Sequence, residues 1–284
     1  MKIDASRFSM FWANPERYRL REIWKLTPKE PSMDSFAGLL SFGRRRGTCF
    51  HELMDADYRG IPEPQAVQDL IDGDFEEKAI ATGLRMKAAV KTRYFNETYL
   101  AHESLFEYQI PGSPHIMTGR IDHILSDEDG PVIGDWKGSN SPTKKEMQKK
   151  IETYKNSAQV DFYLIGATTL GFNTGRFLYR VLENVPRRPP KIAHVKIHEA
   201  WTERTGLQLD RFSQYVHVTC EMIEFLKRTF GVENPWPVLH EPFDRGYGAI
   251  LGRKRVEGLE LPEGFTEKIE HLESMMEDPE ESDV

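Results

Sequence analysis

The side chains equipped for chemistry in this 284-residue chain concentrate between Gly119 and Tyr163. In Pro131-Val-Ile-Gly-Asp-Trp-Lys137, which reads as a short strand, Asp135 and Lys137 stand two residues apart. Residues i and i+2 of a strand share a face, with α carbons about 6–7 Å apart. A carboxylate and an ammonium placed side by side can hold a divalent metal and a phosphate oxygen together. An isolated Asp-x-Lys also reads as a surface ion pair. Asp122, in Gly119-Arg120-Ile121-Asp122, falls in the preceding strand. Strands adjacent in sequence and joined by a tight turn are expected to pair, which brings Asp122 and Asp135 towards one ion. Hard carboxylate oxygens with open positions for water suit Mg²⁺. A solvated strand face is the other reading of Asp122.

Two further pairs have helical spacing. Gly47 and His51 lie one turn apart, so the glycine leaves room for a ligand beside an imidazole that can act as a nitrogen ligand. A lone histidine also serves in packing or at a surface. Gln159 and Tyr163 are likewise i and i+4, with polar ends that reach a common partner or line a helix rim. Two stretches are basic. Arg44-Arg45-Arg46 precedes Gly47, and Lys144, Lys145, Lys149, Lys150 and Lys155 face only Glu146 and Glu152 in the segment after the Asp135 strand. Both are candidates for sequence-independent phosphate contacts, or for solvated faces.

The elements that must position these groups follow from pattern. Residues 4–24 read as a helix, capped by Asp4 or Ser6 and carrying Phe8, Phe11 and Trp12 at helical spacing. A Pro-containing loop over 25–35 leads to a helix through His51, and a second helix is expected over 66–94. Leu105–Ile110, a Pro-Gly-Ser turn at 111–113 and Ile116–Leu125 form a hairpin by strand and turn chemistry, with 131–137 as a third strand. Thr143-Lys-Lys-Glu146 is a capping box opening helical sequence that runs, with a break, to Leu170. Strands at 177–182 and 193–200 and an amphipathic helix over 207–229 complete the pattern. Helices, a strand meander, a helix and further strands predict an α/β fold with one central mixed sheet.

Composition excludes several classes. With 39% hydrophobic and 29% charged residues, the chain can bury a core. The longest uncharged apolar run, Phe162–Phe172, is far short of the ~18 residues of a membrane span. The opening MKIDASRF lacks a signal-peptide apolar region, and Cys49 and Cys220 are too few for a disulfide framework, so a cytoplasmic chain is expected. The net charge of −7 is unevenly placed. Residues 267–284 hold eight acidic side chains and one lysine, which leaves 1–266 neutral and predicts a solvated acidic tail. Local basic surface therefore remains open to the body.

Taken in order, Gly47-x-x-x-His51, Gly119-x-x-Asp122, Asp135-x-Lys137 and Gln159-x-x-x-Tyr163 resemble the RecB-type branch of the PD-(D/E)XK nuclease superfamily. The opening Trp12-Ala-Asn-Pro15-x-x-Tyr18 is similar to that branch too, and the resemblance covers residues 3 to about 170. It implies a restriction-endonuclease-like core, its central mixed sheet flanked by helices. A single nuclease domain would span 1–266, with a helical N-terminal part and a C-terminal elaboration. It also implies that His51, Asp122, Asp135 and the Trp136 carbonyl bind Mg²⁺ or Mn²⁺, that Lys137 acts on the attacking water and phosphate, and that Gln159 and Tyr163 line the site. Asn14 stands where iron–sulfur members have their first cluster cysteine, and no cysteine follows Cys220, so no such cluster is expected. No phosphate-binding Gly-x-x-x-x-Gly-Lys-Ser/Thr motif occurs either. The chain looks like a stand-alone, phage-type DNA exonuclease of recombination or repair, with a single-strand annealing protein as a conceivable partner. A flap or single-strand endonuclease is the nearest alternative, and a non-catalytic DNA-binding recombination protein the alternative of another class.

Overall fold

A computed structural model of the chain describes residues 1–13, 15–23, 36–139, 143–185 and 194–231, leaving aside the side chains of 16, 17, 19, 20 and 36–44. Asn14, the loop over 25–35, the Arg44 side chain and the acidic tail lie outside the described residues. Chain order is β1 (Lys2–Ile3), α1 (Ala5–Ala13), α2 (Pro15–Tyr18), a π-helical turn (Arg19–Ile23), α3 (Phe36–Tyr58), α4 (Glu63–Asp72) and α5 (Glu77–Arg93). Then follow β2 (Thr98–Gln109), β3 (Ile116–Asp127), β4 (Gly130–Ser139), α6 (Lys144–Lys155), α7 (Ala158–Thr169), β5 (Arg176–Val185), β6 (His194–Glu203) and α8 (Gly206–Phe230).

The helix expected over 66–94 is two helices. Asp74 takes a left-handed φ of 59°, and the N–H of Gly73 turns back to the Asp69 carbonyl, so the chain reverses between α4 and α5. The opening helix is also interrupted, and α2 starts at Pro15, where the missing N–H costs nothing. The capping box at Thr143 forms as its sequence predicts: the Glu146 N–H donates to the Thr143 hydroxyl oxygen and the Thr143 N–H donates to the Glu146 carboxylate.

The sheet is mixed. β2 and β3 pair antiparallel along nearly their whole length, β3 and β4 antiparallel, β4 and β5 parallel, and β5 and β6 antiparallel. β2 takes one edge of β3, so the other edge is shared. β1 pairs in parallel with its start at Ile116–Met117, and β4 with its end from His123 to Asp127. Between those two stretches, from Thr118 to Asp122, this edge of β3 carries no ladder pairing.

Helices cover both faces, so the architecture is the α/β one expected. On one face Ile133, Phe177 and Tyr179 pack with α1, α7 and α8, through an aromatic cluster of Phe8, Phe162, Phe212 and Tyr215. On the other, Trp136 and Leu182 pack with Phe50 and Met54 of α3 and Met86 and Val90 of α5. Between α7 and the sheet two glycines make room for one ring. A Cβ on Gly119 would lie 2.6 Å from the Phe106 ring, and one on Gly166 would lie 2.5 Å from it. Gly166 is seven residues after Gln159 and three after Tyr163, so all three occupy one face of α7.

Candidate active site

β4 carries the centre of the site. Asp135 is fully buried, and its Oδ1 accepts hydrogen bonds from Lys137 Nζ at 2.9 Å and Gln159 Nε2 at 2.8 Å. Lys137 Nζ also lies 2.7 Å from Asp135 Oδ2. Strand alternation puts the acid and the ammonium on one side, and the close approach of α7 brings the amide to them. Asp122 reaches the same place from β3. Its Oδ2 accepts from the Trp136 backbone N–H at 3.1 Å, a contact made just beyond the end of the β3–β4 ladder. Tyr163 sits one turn beyond Gln159, edge-on to Phe106 at 6.3 Å.

α3 supplies His51 from the opposite face of the sheet. Its Nε2 stands 3.2 Å from the Trp136 carbonyl oxygen, and its Nδ1 stands 3.6 Å from Asp122 Oδ2 and 3.6 Å from Glu103 Oε1. A Cβ added at Gly47 would meet nothing within 4 Å, so the helix face beside His51 is open space. His51 thus meets Asp122 and the Trp136 carbonyl just beyond the end of the β3–β4 ladder.

Glu103 is the member that the sequence reading missed. It lies mid-strand in β2, between the pairs His102–His123 and Ser104–Ile121, with φ at +44°. A left-handed residue inside a strand costs on the order of 1–3 kcal/mol and aims its side chain off the alternating pattern. Here the carboxylate swings to His51 and to Arg120, whose Nε is 2.8 Å from Glu103 Oε2. No motif spacing carried this signal. The ion-pair partner of Glu103, Arg120, is an unspecified position of Gly119-x-x-Asp122.

Electrostatics follow from burying three carboxylates together. Burial and then the Asp122 charge push the Asp135 carboxyl up to about 7, against the pull of Lys137 and His51. For His51 burial opposes the charge, but Asp122, Glu103 and Asp135 outweigh it and push the imidazole up to about 9. At neutral pH the ring is an imidazolium, its Nε2–H directed at the Trp136 carbonyl and its Nδ1–H at the two acids. Lys137 shows the same contest: burial lowers its pKa, Asp135 and Asp122 raise it more, and it stays an ammonium. Burial and the same two aspartates hold the Tyr163 hydroxyl neutral, well above its usual range.

The donor set fits a hard divalent cation. One ligand atom each from His51, Glu103 and Asp122 lies within 4.8 Å of the others. Both Glu103 oxygens and Asp135 Oδ2 are buried with no hydrogen-bond partner among the described residues, their charge met only by ion pairs. Carboxylate oxygens left in that state, beside an imidazole, are what Mg²⁺ or Mn²⁺ coordinates.

The basic groups divide. Lys144, Lys145 and Lys149 are exposed on α6, and Lys150 donates to Ser139 Oγ at 3.0 Å, two residues beyond Lys137. Arg45 instead donates to Glu76 at 3.2 Å and to the Asp74 carbonyl, and Arg46 is only 4% exposed. Arg45 is engaged near the start of α5 and Arg46 is buried, so of the two basic stretches α6 is the more exposed among the described residues.

A family model described as "PD-(D/E)XK nuclease superfamily" matches residues 3–233. No curated protein matches the chain. Among solved structures, a match titled "Crystal structure of SSO0001" is 14% identical, with a TM-score of 0.32 over 78% of this chain and 76% of that one.

Proposed function

The chain belongs to the PD-(D/E)XK nuclease superfamily, and from that premise we propose that it is a RecB-type DNA exonuclease that works with Mg²⁺ or Mn²⁺ in phage-type recombination or repair. Metal-dependent hydrolysis of nucleic-acid phosphodiesters comes with the superfamily. The observation that carries the assignment of residues is the convergence of Asp122, Asp135, Lys137, Gln159 and His51 from β3, β4, α7 and α3 on one buried point.

In this reading His51, Glu103, Asp122, Asp135 and the Trp136 carbonyl hold the ion. When bound, it supplies Lewis acidity at the scissile phosphate and lowers the pKa of a water. Lys137, kept charged by the two aspartates, orients the attacking water and stabilises negative charge on the phosphate, a role for an ammonium rather than for a general base. Gln159 fixes the orientation of the Asp135 carboxylate, and Tyr163 offers a neutral hydroxyl beside it. Lys144, Lys145, Lys149 and Lys150 on α6 grip the backbone of DNA without regard to sequence.

Support for action at ends rests on the ordered motifs and their resemblance to the RecB-type branch. The test is cleavage of linear and of closed circular DNA in Mg²⁺. Degradation of the linear form alone is expected. Cutting of closed circles would make the protein an endonuclease of the same superfamily, and metal-independent binding without cleavage of either form would make it a binding protein.

A further inference from the structure

Away from the active site, a second group of metal-ligating side chains joins the start of β3 to α8. His115, immediately before β3, is buried, and its Nε2 lies 2.8 Å from Glu221 Oε1. His217 is one helical turn before Glu221, and its ring lies 5.8 Å from that of His115, centroid to centroid, tilted by 36°. One ligand atom from each of the three falls within 4.8 Å of the others. Asp122 is seven residues further along β3, roughly 23 Å at 3.3 Å per residue, so the two clusters cannot share an ion.

We propose that His115, His217 and Glu221 form a three-ligand site for a borderline transition-metal ion, Zn²⁺ foremost, that ties the β2–β3 turn to α8. Two imidazoles and one carboxylate make a donor set suited to tetrahedral Zn²⁺, with water as the fourth ligand. The active-site cluster, with three carboxylates to one imidazole, favours Mg²⁺ instead.

The surroundings supply the second layer that histidine ligands need. His217 Nδ1 is 2.8 Å from Ser113 Oγ, which fixes the ring from the β2–β3 turn. His115 Nδ1 is 3.1 Å from the Met1 amino group, on the ring edge away from Glu221. The His115 ring is thus held at both edges, by Met1 at Nδ1 and by Glu221 at Nε2.

The test uses untagged full-length protein with Mg²⁺ in large excess to hold the active site. Zn²⁺ titrated by calorimetry should bind at one equivalent and raise the melting temperature. Co²⁺ in its place should give the intense visible bands of a tetrahedral site. His217→Ala and Glu221→Gln, both at half-buried positions, should lose that equivalent and the Zn²⁺-induced shift while keeping Mg²⁺-dependent cleavage. Ser113→Ala should weaken Zn²⁺ about tenfold. Absence of Zn²⁺ binding under excess Mg²⁺, or unchanged binding in both ligand variants, would overturn the site. Neither result touches the nuclease reading, which is scored separately by cleavage.

Discussion

Lys137 and His51 are both cations at neutral pH, yet the proposed mechanism uses them in opposite ways. Lys137 keeps its charge because two aspartates hold it, so in that proposal its ammonium would be available to the reacting phosphate throughout. Lys137→Ala should therefore lower cleavage about a hundredfold or more while calorimetry still finds Mg²⁺ binding. Near-normal turnover by a folded variant would remove Lys137 from the chemistry. Glu103→Gln takes away a buried charge beside His51 and should weaken Mg²⁺ binding, a loss that no motif-based assignment anticipates. His51, by contrast, must lose its proton to ligate. An imidazole raised to about 9 binds the ion with release of a proton at any lower pH, so Mg²⁺ affinity should climb with pH and level off above about 9. Asp135, raised to about 7, is protonated below that value and makes the climb steeper there. In His51→Gln the upper limb set by the imidazole should vanish, leaving the single rise of Asp135, moved above 7 because His51 no longer holds that carboxyl down. An affinity independent of pH between 6 and 9 in the parent protein would contradict both assignments.

At the scale of elements, the site depends on how closely α7 lies against the sheet. Phe106 fills a slot walled by Gly119 of β3 and Gly166 of α7, and the helix face above that slot delivers Gln159 to Asp135. The Gly119 of the Gly-x-x-Asp motif is thus a packing residue, required by the ring opposite it in the β2–β3 register. Gly119→Ala should cost on the order of 1–3 kcal/mol by overpacking and should slow cleavage by displacing α7 or β3. Replacing the ring relieves the conflict, so the alanine should cost less in a Phe106→Leu background. Urea denaturation of the four proteins in the cycle measures this, and additive effects would show that ring and glycine do not compete for space.

For the molecule as a whole, charge is divided between a neutral body and an acidic terminus. The proposed domain ends near 266, and residues 267–284 carry the net −7. No proposed ligand lies in that segment, and its field is screened over about 8–10 Å at physiological salt. Deleting 267–284 should leave the fold and the Mg²⁺-dependent cleavage intact, and should tighten DNA binding slightly at low salt alone. Cleavage and affinity measured across a salt series decide this. Loss of cleavage at every salt concentration would show that the segment packs on the body.

What the sequence by itself determined was local. Asp135 and Lys137 meet because a strand alternates sides, Gln159 and Tyr163 share a face because a helix turns every 3.6 residues, and Thr143 caps α6 because its partner is three residues away. Pairing of β3 with β4 followed from the tight turn between them, which a short connection dictates. Tertiary structure alone decided the rest. Glu103 reaches His51 through a left-handed φ that no spacing encodes, at the β2 position opposite Asp122 in the β2–β3 register. Arg46 is buried rather than offered to phosphate, because α4 and α5 fold over that part of α3. The protonation of His51 is set by three acids contributed by three different strands. The His115–His217–Glu221 cluster joins residues 106 positions apart. Such features depend on the distance and dielectric between groups far apart in the chain, and those quantities exist only once the chain has packed.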